Sequence, residues 1–189
     1  YGIFGPVTKV ENHKLYEFVN TMCTTYAQLA REFIIKNKAT IYNNKNSHDR
    51  CLLCFTSSLA AEVDTPLAAM YCSVKSYDSE FAKHLAIEKN DTNLDITAMQ
   101  PGFFSNSIFF SNLPGFLGKI FTIDNIYPSS DEVCNCVMKT LGKATIVDCC
   151  ASSLVTRVSI WLSGEFPTYI TSKLLVNLAS KKLKKDENQ

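Results

Sequence analysis

Two short apolar runs constrain this chain more than any other feature. CLLCF at 51–55 and LDITAMQ at 94–100 are too short to be ordinary helices. CLLCF runs into Thr-Ser-Ser and reads as a strand buried on both faces, as strands of parallel sheets are. LDITAMQ is stopped by Pro101-Gly102. Between them lies a helix from about Leu67 to Glu88, with Asp64 or Thr65 as its cap and Pro66 in its first turn. A strand, a helix and a second strand in this order make the crossover unit of a parallel sheet. Upstream, from Asn12 to about Lys36, Leu15, Phe18, Val19, Met22, Tyr26, Leu29, Ala30 and Phe33 recur at helical steps. Downstream, Ser129 or Ser130 caps a helix near 129–142 with Asp131 and Glu132 in its first turn, and ATIVDC (144–149) reads as a last strand. The alternation predicts an α/β fold. YNNKNSHD at 42–49 has almost nothing to bury and reads as a solvated loop.

The chain's 189 residues fit one domain of ordinary size, and 46% hydrophobic with 20% charged residues is a globular composition. Residues 1–143 read as its main body, and 144–189 as a terminal strand, an amphipathic extension and a polar tail. A formal net charge of +1 argues against a nucleic-acid partner. The residues after Tyr1 show no secretory signal. The eight cysteines have no metal-like spacing. Cys51 and Cys54 would point to opposite faces of a strand, Cys134 and Cys136 lie about 200° apart on a helix, and the three histidines stand near none of them in a zinc-like spacing. Free buried thiols in a reducing compartment, with no metal, are expected.

The chemistry concentrates in YCSVK, 71–75. Tyr71 and Lys75 are i and i+4 on the predicted helix and share a face. A phenol ordinarily ionises near pH 10, and an ammonium held beside it stabilises the phenolate. Such a tyrosine can give its proton to a carbonyl being reduced, or take one in reverse. Ser58, 13 residues earlier, ends the first strand, where ligands collect in open α/β sheets. Its hydroxyl can donate to the same carbonyl oxygen as charge develops there. Taken alone, Tyr-x-x-x-Lys is weak, and a surface pair worth a few tenths of a kcal/mol is the plain alternative. Tyr77 has Phe81 rather than a lysine at i+4, and His84 lies more than three turns from Tyr71, at the surface or an interface.

TSS at 56–58, YCSVK at 71–75 and the Pro-Gly turn at 101–102 together resemble the short-chain dehydrogenase/reductase family. The resemblance implies the C-terminal part of a doubly wound, Rossmann-like parallel sheet that is incomplete, because no Gly-rich phosphate turn is in the sequence. It implies that Ser58 polarises the carbonyl, that Tyr71 transfers the proton, and that Lys75 lowers the tyrosine pKa and holds the nicotinamide ribose. Tyr71, Lys75, Pro101, Gly102, Phe104 and Asn106 would then line the cofactor, with Asn106 where the family has a threonine. The family's catalytic asparagine falls on Met22, while Asn20 would point about 200° away on a helix. The family's Asn-Asn-Ala-Gly motif would end just ahead of Tyr1, and the chain by itself is expected to bind dinucleotide poorly, since the helix N-terminus that holds the pyrophosphate is lacking.

PGFFSNS, SDEVCNCVMKTLGK and the apolar C-terminal stretch are similar to the subgroup of very-long-chain 3-ketoacyl-CoA reductases and 17β-hydroxysteroid dehydrogenases. This implies NADPH, a hydrophobic acyl-CoA or steroid substrate, a place on the endoplasmic-reticulum membrane and a homodimer. Six phenylalanines between Phe103 and Phe121 are either ordinary packing or a lid over such a substrate. The stretch 144–163 carries Asp148 and Arg157 and is no clean spanning helix; with the residues that follow it could lie on a membrane surface or simply be a soluble helix with a basic end. A truncated or degenerate member that only binds is the competing expectation. The coding sequence upstream of Tyr1 discriminates: a Gly-rich dinucleotide segment there favours the reductase.

Overall fold

The computed structural model describes residues 5–42, 49–63, 65, 68–102 and 128–149, with a few further positions between 154 and 173. Its elements, in chain order, are α1 (Asn12–Val19), a π-helical turn (Asn20–Thr24), α2 (Thr25–Lys36), the single turn α3 (Lys38–Ile41), β1 (Cys51–Thr56), α4 (Ala69–Glu88), β2 (Leu94–Gln100), α5 (Ser130–Thr140) and β3 (Ile146–Asp148). The three strands form one parallel sheet in the order β1-β2-β3. Cys51 pairs with Leu94 and Thr56 with Met99, so the strands end side by side. The α/β expectation holds, and β2 has the expected bounds.

The main core lies on one face of this sheet. Phe55, Leu94, Ile96 and Ala98 pack against Ala30 of α2 and Ala82 and Leu85 of α4, with Tyr26, Phe33 and Phe81 around them. Phe81 meets Phe55 edge-on at 5.6 Å. Because α2 and α4 both cover this side, β1 is not buried on both faces as its composition suggests. Cys51, Leu53 and Phe55 join the core, whereas Leu52 is 39% exposed and Cys54 is exposed. Cys134 is exposed too, and Cys23, Cys51, Cys72 and Cys136 are half-buried, so among the described residues the expectation of buried thiols holds fully only at Cys149. Successive side chains of a strand point to opposite faces, so Leu52 and Cys54 lie on the face away from this core.

The helix ends show which local signals acted. α5 begins with a complete capping box: the Ser129 hydroxyl accepts from the Glu132 amide at 3.3 Å, and Glu132 accepts from the Ser129 amide at 2.7 Å. These bonds hold the Glu132 carboxyl below the ordinary carboxylate range. Gly142 follows the end of α5 at φ +71°, the left-handed region that glycine enters without penalty. α4, by contrast, starts at Ala69 with Ala68 as N-cap and no side-chain capping bond. The expected cap by Thr65 is therefore not made: its hydroxyl donates instead to the Val63 carbonyl at 3.2 Å. Asp64 and Pro66 lie outside the described residues.

The π turn divides what reads as one long helix. The Thr25 amide donates to the Asn20 carbonyl, five residues back. The turn brings Met22 into a second, smaller core with Phe18 and with Val74 of α4, against which Met70 and Tyr71 pack. Asn20 stays exposed, so Met22, not Asn20, faces the tyrosine helix.

Candidate active site

Lys75 is 5% exposed, which rules out the surface-pair reading of YCSVK. Its ammonium donates to the Thr56 carbonyl at the end of β1 at 2.7 Å and to Asp78 Oδ2 at 3.1 Å, and it stands 5.9 Å from the centre of the Tyr26 ring. Tyr71, one turn earlier, is half-buried against the Phe18–Met22–Val74 cluster. The face shared by Tyr71 and Lys75 is thus turned inward, toward the ends of the strands and the π turn.

The loop after β1 is tied to the same place from two sides. The Ser57 amide donates to the Met99 carbonyl at 2.9 Å, and the Leu59 amide to the Pro101 carbonyl at 3.0 Å. The Ser57 hydroxyl donates to the Lys75 carbonyl at 2.7 Å and shares a 2.7 Å bond with Ser79, and Ser76 donates to the Ala61 carbonyl at 2.9 Å. Of the two serines, therefore, Ser57 is the structural one, buried against α4. Ser58 is half-buried and caps a short 3-10 turn (Leu59–Ala61), its Oγ accepting from the Ala60 amide at 3.2 Å. That bond uses a lone pair and leaves the Ser58 O–H to donate elsewhere. Ser58 and Pro101-Gly102 are brought together at the C-terminal ends of β1 and β2, and bonds from Ser57 and Ser76 anchor α4 to the same loop. Phe104, Asn106 and the Phe-rich stretch lie outside the described residues.

Several polar groups here have no counterpart in the sequence reading. Gln100 is fully buried; its amide donates to Ser79 at 2.8 Å and to Glu62 at 3.0 Å, and its oxygen accepts from Arg157, which also pairs with Asp148 at 3.0 Å. Asp78 is the more consequential. Its side chain is 0% exposed, and burial pushes its carboxyl up to about 6 against the opposing pull of Lys75. Oδ1 of Asp78 has no hydrogen-bond partner among the described residues. Burial, and then the nearby Asp78 charge, raise the Cys23 thiol and the Tyr26 phenol; Lys75 partly opposes this at Cys23. Burial also raises the Tyr77 phenol, which stacks on Phe81 at 5.6 Å. The signal for Asp78 was in the sequence, since it follows Lys75 at i+3. His84 is on the surface, 3.9 Å from Glu80.

No protein-family model matches the sequence, and no curated protein does. Solved structures do match the fold. A 7β-hydroxysteroid dehydrogenase superposes with a TM-score of 0.74 at 18% identity, over 90% of this chain and 62% of its own. A short-chain dehydrogenase from Streptomyces avermitilis gives 0.63 at 11%, over 92% of this chain and 65% of its own. A 3-ketoacyl-(acyl-carrier-protein) reductase from Brucella melitensis, complexed with NADH, gives 0.61 at 16%, over 78% and 62%. The chain therefore has a partial short-chain dehydrogenase/reductase fold, and it spans less than two thirds of the length of these structures.

Proposed function

We propose that this chain carries the proton-transfer half of a nicotinamide-dependent ketone reductase. The observation that carries this reading is the buried Tyr71–Lys75 helix, bonded to a loop whose Ser58 lies beside Pro101-Gly102 at the ends of two parallel strands. Tyr71 donates its phenolic proton to the carbonyl oxygen, Ser58 donates a hydrogen bond to the same oxygen, and Lys75 supplies the positive charge that the resulting phenolate needs. By the family resemblance, Tyr71, Lys75, Pro101 and Gly102 would hold the nicotinamide end of the cofactor; the Lys75 bond to Thr56 and the Leu59 bond to Pro101, at the ends of β1 and β2 where open α/β sheets bind ligands, support this. The sequence has no Gly-rich turn for the pyrophosphate end. When bound, the dinucleotide supplies the hydride to the carbonyl carbon. NADPH follows from the subgroup resemblance, while the structurally similar Brucella reductase carries NADH.

The substrate we favour is lipid-like, a 3-oxoacyl-CoA or a steroid ketone. The apolar character of the C-terminal region supports it: Leu154, Val155, Trp161 and Leu162 have helical backbone and exposed side chains, with Trp161 82% exposed. These side chains suit a membrane surface such as the cytosolic face of the endoplasmic reticulum. No helix among the described residues is long and apolar enough to cross a membrane. Exposed Ile87 on α4 and Met138 on α5 suit a homodimer through those helices.

A second reading is a family member that binds without catalysing. Met22, an apolar side chain in the place of the family's asparagine, favours it. Turnover decides between the two. The natural polypeptide, given NADPH or NADH and either a 3-oxoacyl-CoA or a ketosteroid, should oxidise the dinucleotide in proportion to ketone consumed. Binding of either ligand without turnover would favour the second reading.

A further inference from the structure

We propose that Asp78 is a positioning residue for Lys75: its carboxylate clamps the ammonium onto the Thr56 carbonyl, and protonation of Asp78 loosens that clamp. The functional meaning of the clamp rests on the reductase reading above; its existence does not.

The geometry is specific. Lys75 reaches two acceptors, Thr56 O at 2.7 Å and Asp78 Oδ2 at 3.1 Å, and the aromatic face of Tyr26 lies beside them. An ammonium has three protons to place, and in a buried site each needs an acceptor. Asp78 is one turn further along the same rigid helix, so it holds Lys75 without any loop having to order. The opposite charge makes this the stronger of the two bonds per contact, although it is the longer.

The clamp can also open. Asp78 is enclosed, and Oδ1 accepts nothing among the described residues, so its carboxylate form is only half satisfied. Burial places its titration near pH 6, where a small change in pH changes its charge. The titratable groups that face it are Lys75 on α4, Cys23 of the π turn and Tyr26 of α2; Tyr77 of α4 also senses its charge. Burial and the Asp78 charge raise both Cys23 and Tyr26, so neither becomes an anion near pH 6. β1 contributes the neutral Thr56 carbonyl. Asp78 is therefore the group whose charge changes there. Once it is protonated, Lys75 keeps Thr56 and loses its anionic anchor, and the ammonium is freer to turn.

Nuclear magnetic resonance of the natural polypeptide labelled with 15N-lysine tests this directly. A buried, clamped ammonium exchanges its protons slowly and gives its own 1H–15N signal, which loss in Lys75→Met assigns. The Lys75 signal should be present at pH 7.5 and should shift or broaden with a midpoint within about one unit of 6. The 13C shift of the Asp78 carboxyl should titrate with the same midpoint. In Asp78→Asn the inflection should vanish and proton exchange at Lys75 should quicken at least about tenfold. Asp78→Glu should keep an inflection at a moved midpoint. A Lys75 signal that does not change between pH 5 and 7.5, or that shows the same inflection in Asp78→Asn, would overturn the proposal. Should Asp78→Asn fail to fold, agreement or disagreement of the two wild-type midpoints decides alone. None of these readouts needs turnover, so a failed clamp and a failed reductase reading are separately visible.

Discussion

Burying the Asp78 carboxylate has a measurable thermodynamic consequence. In the unfolded chain this group titrates near 3.8, and in the fold near 6, because desolvation outweighs the attraction of Lys75. The folded state therefore binds the proton more readily, so stability falls as pH rises across this window. The contribution is fully present below about pH 4 and is lost as pH passes through about 6. The two values differ by about 2 units, and at about 1.4 kcal/mol per unit this amounts to about 3 kcal/mol. Asp78→Asn removes the titrating group while keeping a side chain of the same shape. Urea unfolding followed by far-ultraviolet circular dichroism, at intervals from pH 4 to 8, gives both stability curves. Their difference isolates Asp78 from every other titrating residue. Wild type relative to the variant should lose about 3 kcal/mol between pH 4 and 8, with most of the change between 4 and 6. Parallel curves would show that folding leaves the Asp78 carboxyl unshifted, and a difference that grows in favour of wild type with rising pH would show that Lys75, not burial, dominates.

Other outcomes follow from packing and capping. Met22→Ala should cost about 2–4 kcal/mol in urea unfolding, since Met22 joins Phe18 and Val74 in the core under Tyr71. Gln100→Leu should cost about 1–3 kcal/mol by the same measurement, because it leaves Ser79, Glu62 and Arg157 without their shared buried partner. Ser129→Ala should cost about 1 kcal/mol through loss of the capping box, measured as a shift in the thermal unfolding midpoint. A thiol reagent applied to the folded protein should modify Cys54 and Cys134, and Cys149 only after denaturation.

The features legible in the sequence were those written in local chemistry. Ser129 and Glu132 stand at capping-box spacing and form that box. LDITAMQ, bounded by Asn93 and Pro101, is β2 without a residue gained or lost. Tyr71 and Lys75 share a helical face at any burial, so their pairing was readable, but that the face points inward depends on α2 and the π turn. The features that were not legible depend on what lies across from a residue. The π turn widens a helix whose apolar spacing through Val19, Met22 and Tyr26 stays helical, so periodicity gives no sign of it. The one-sided burial of β1 was hidden because Leu52 and Cys54 are as apolar as their buried neighbours. The i+3 spacing of Asp78 from Lys75 is visible in the sequence, but only the fold shows that the pair is sealed in.

We propose that Tyr71 is the proton donor to a ketone. The most direct test compares wild type with Tyr71→Phe in the natural polypeptide, following dinucleotide oxidation with a 3-oxoacyl-CoA or steroid ketone under single-turnover conditions. Phenylalanine keeps the ring's packing against Met22 and Val74 and removes only the hydroxyl. The rate should fall by at least about 100-fold, as expected for loss of a general acid, with dinucleotide affinity changed far less. A Tyr71→Phe protein that reduces the ketone at the wild-type rate would contradict the account.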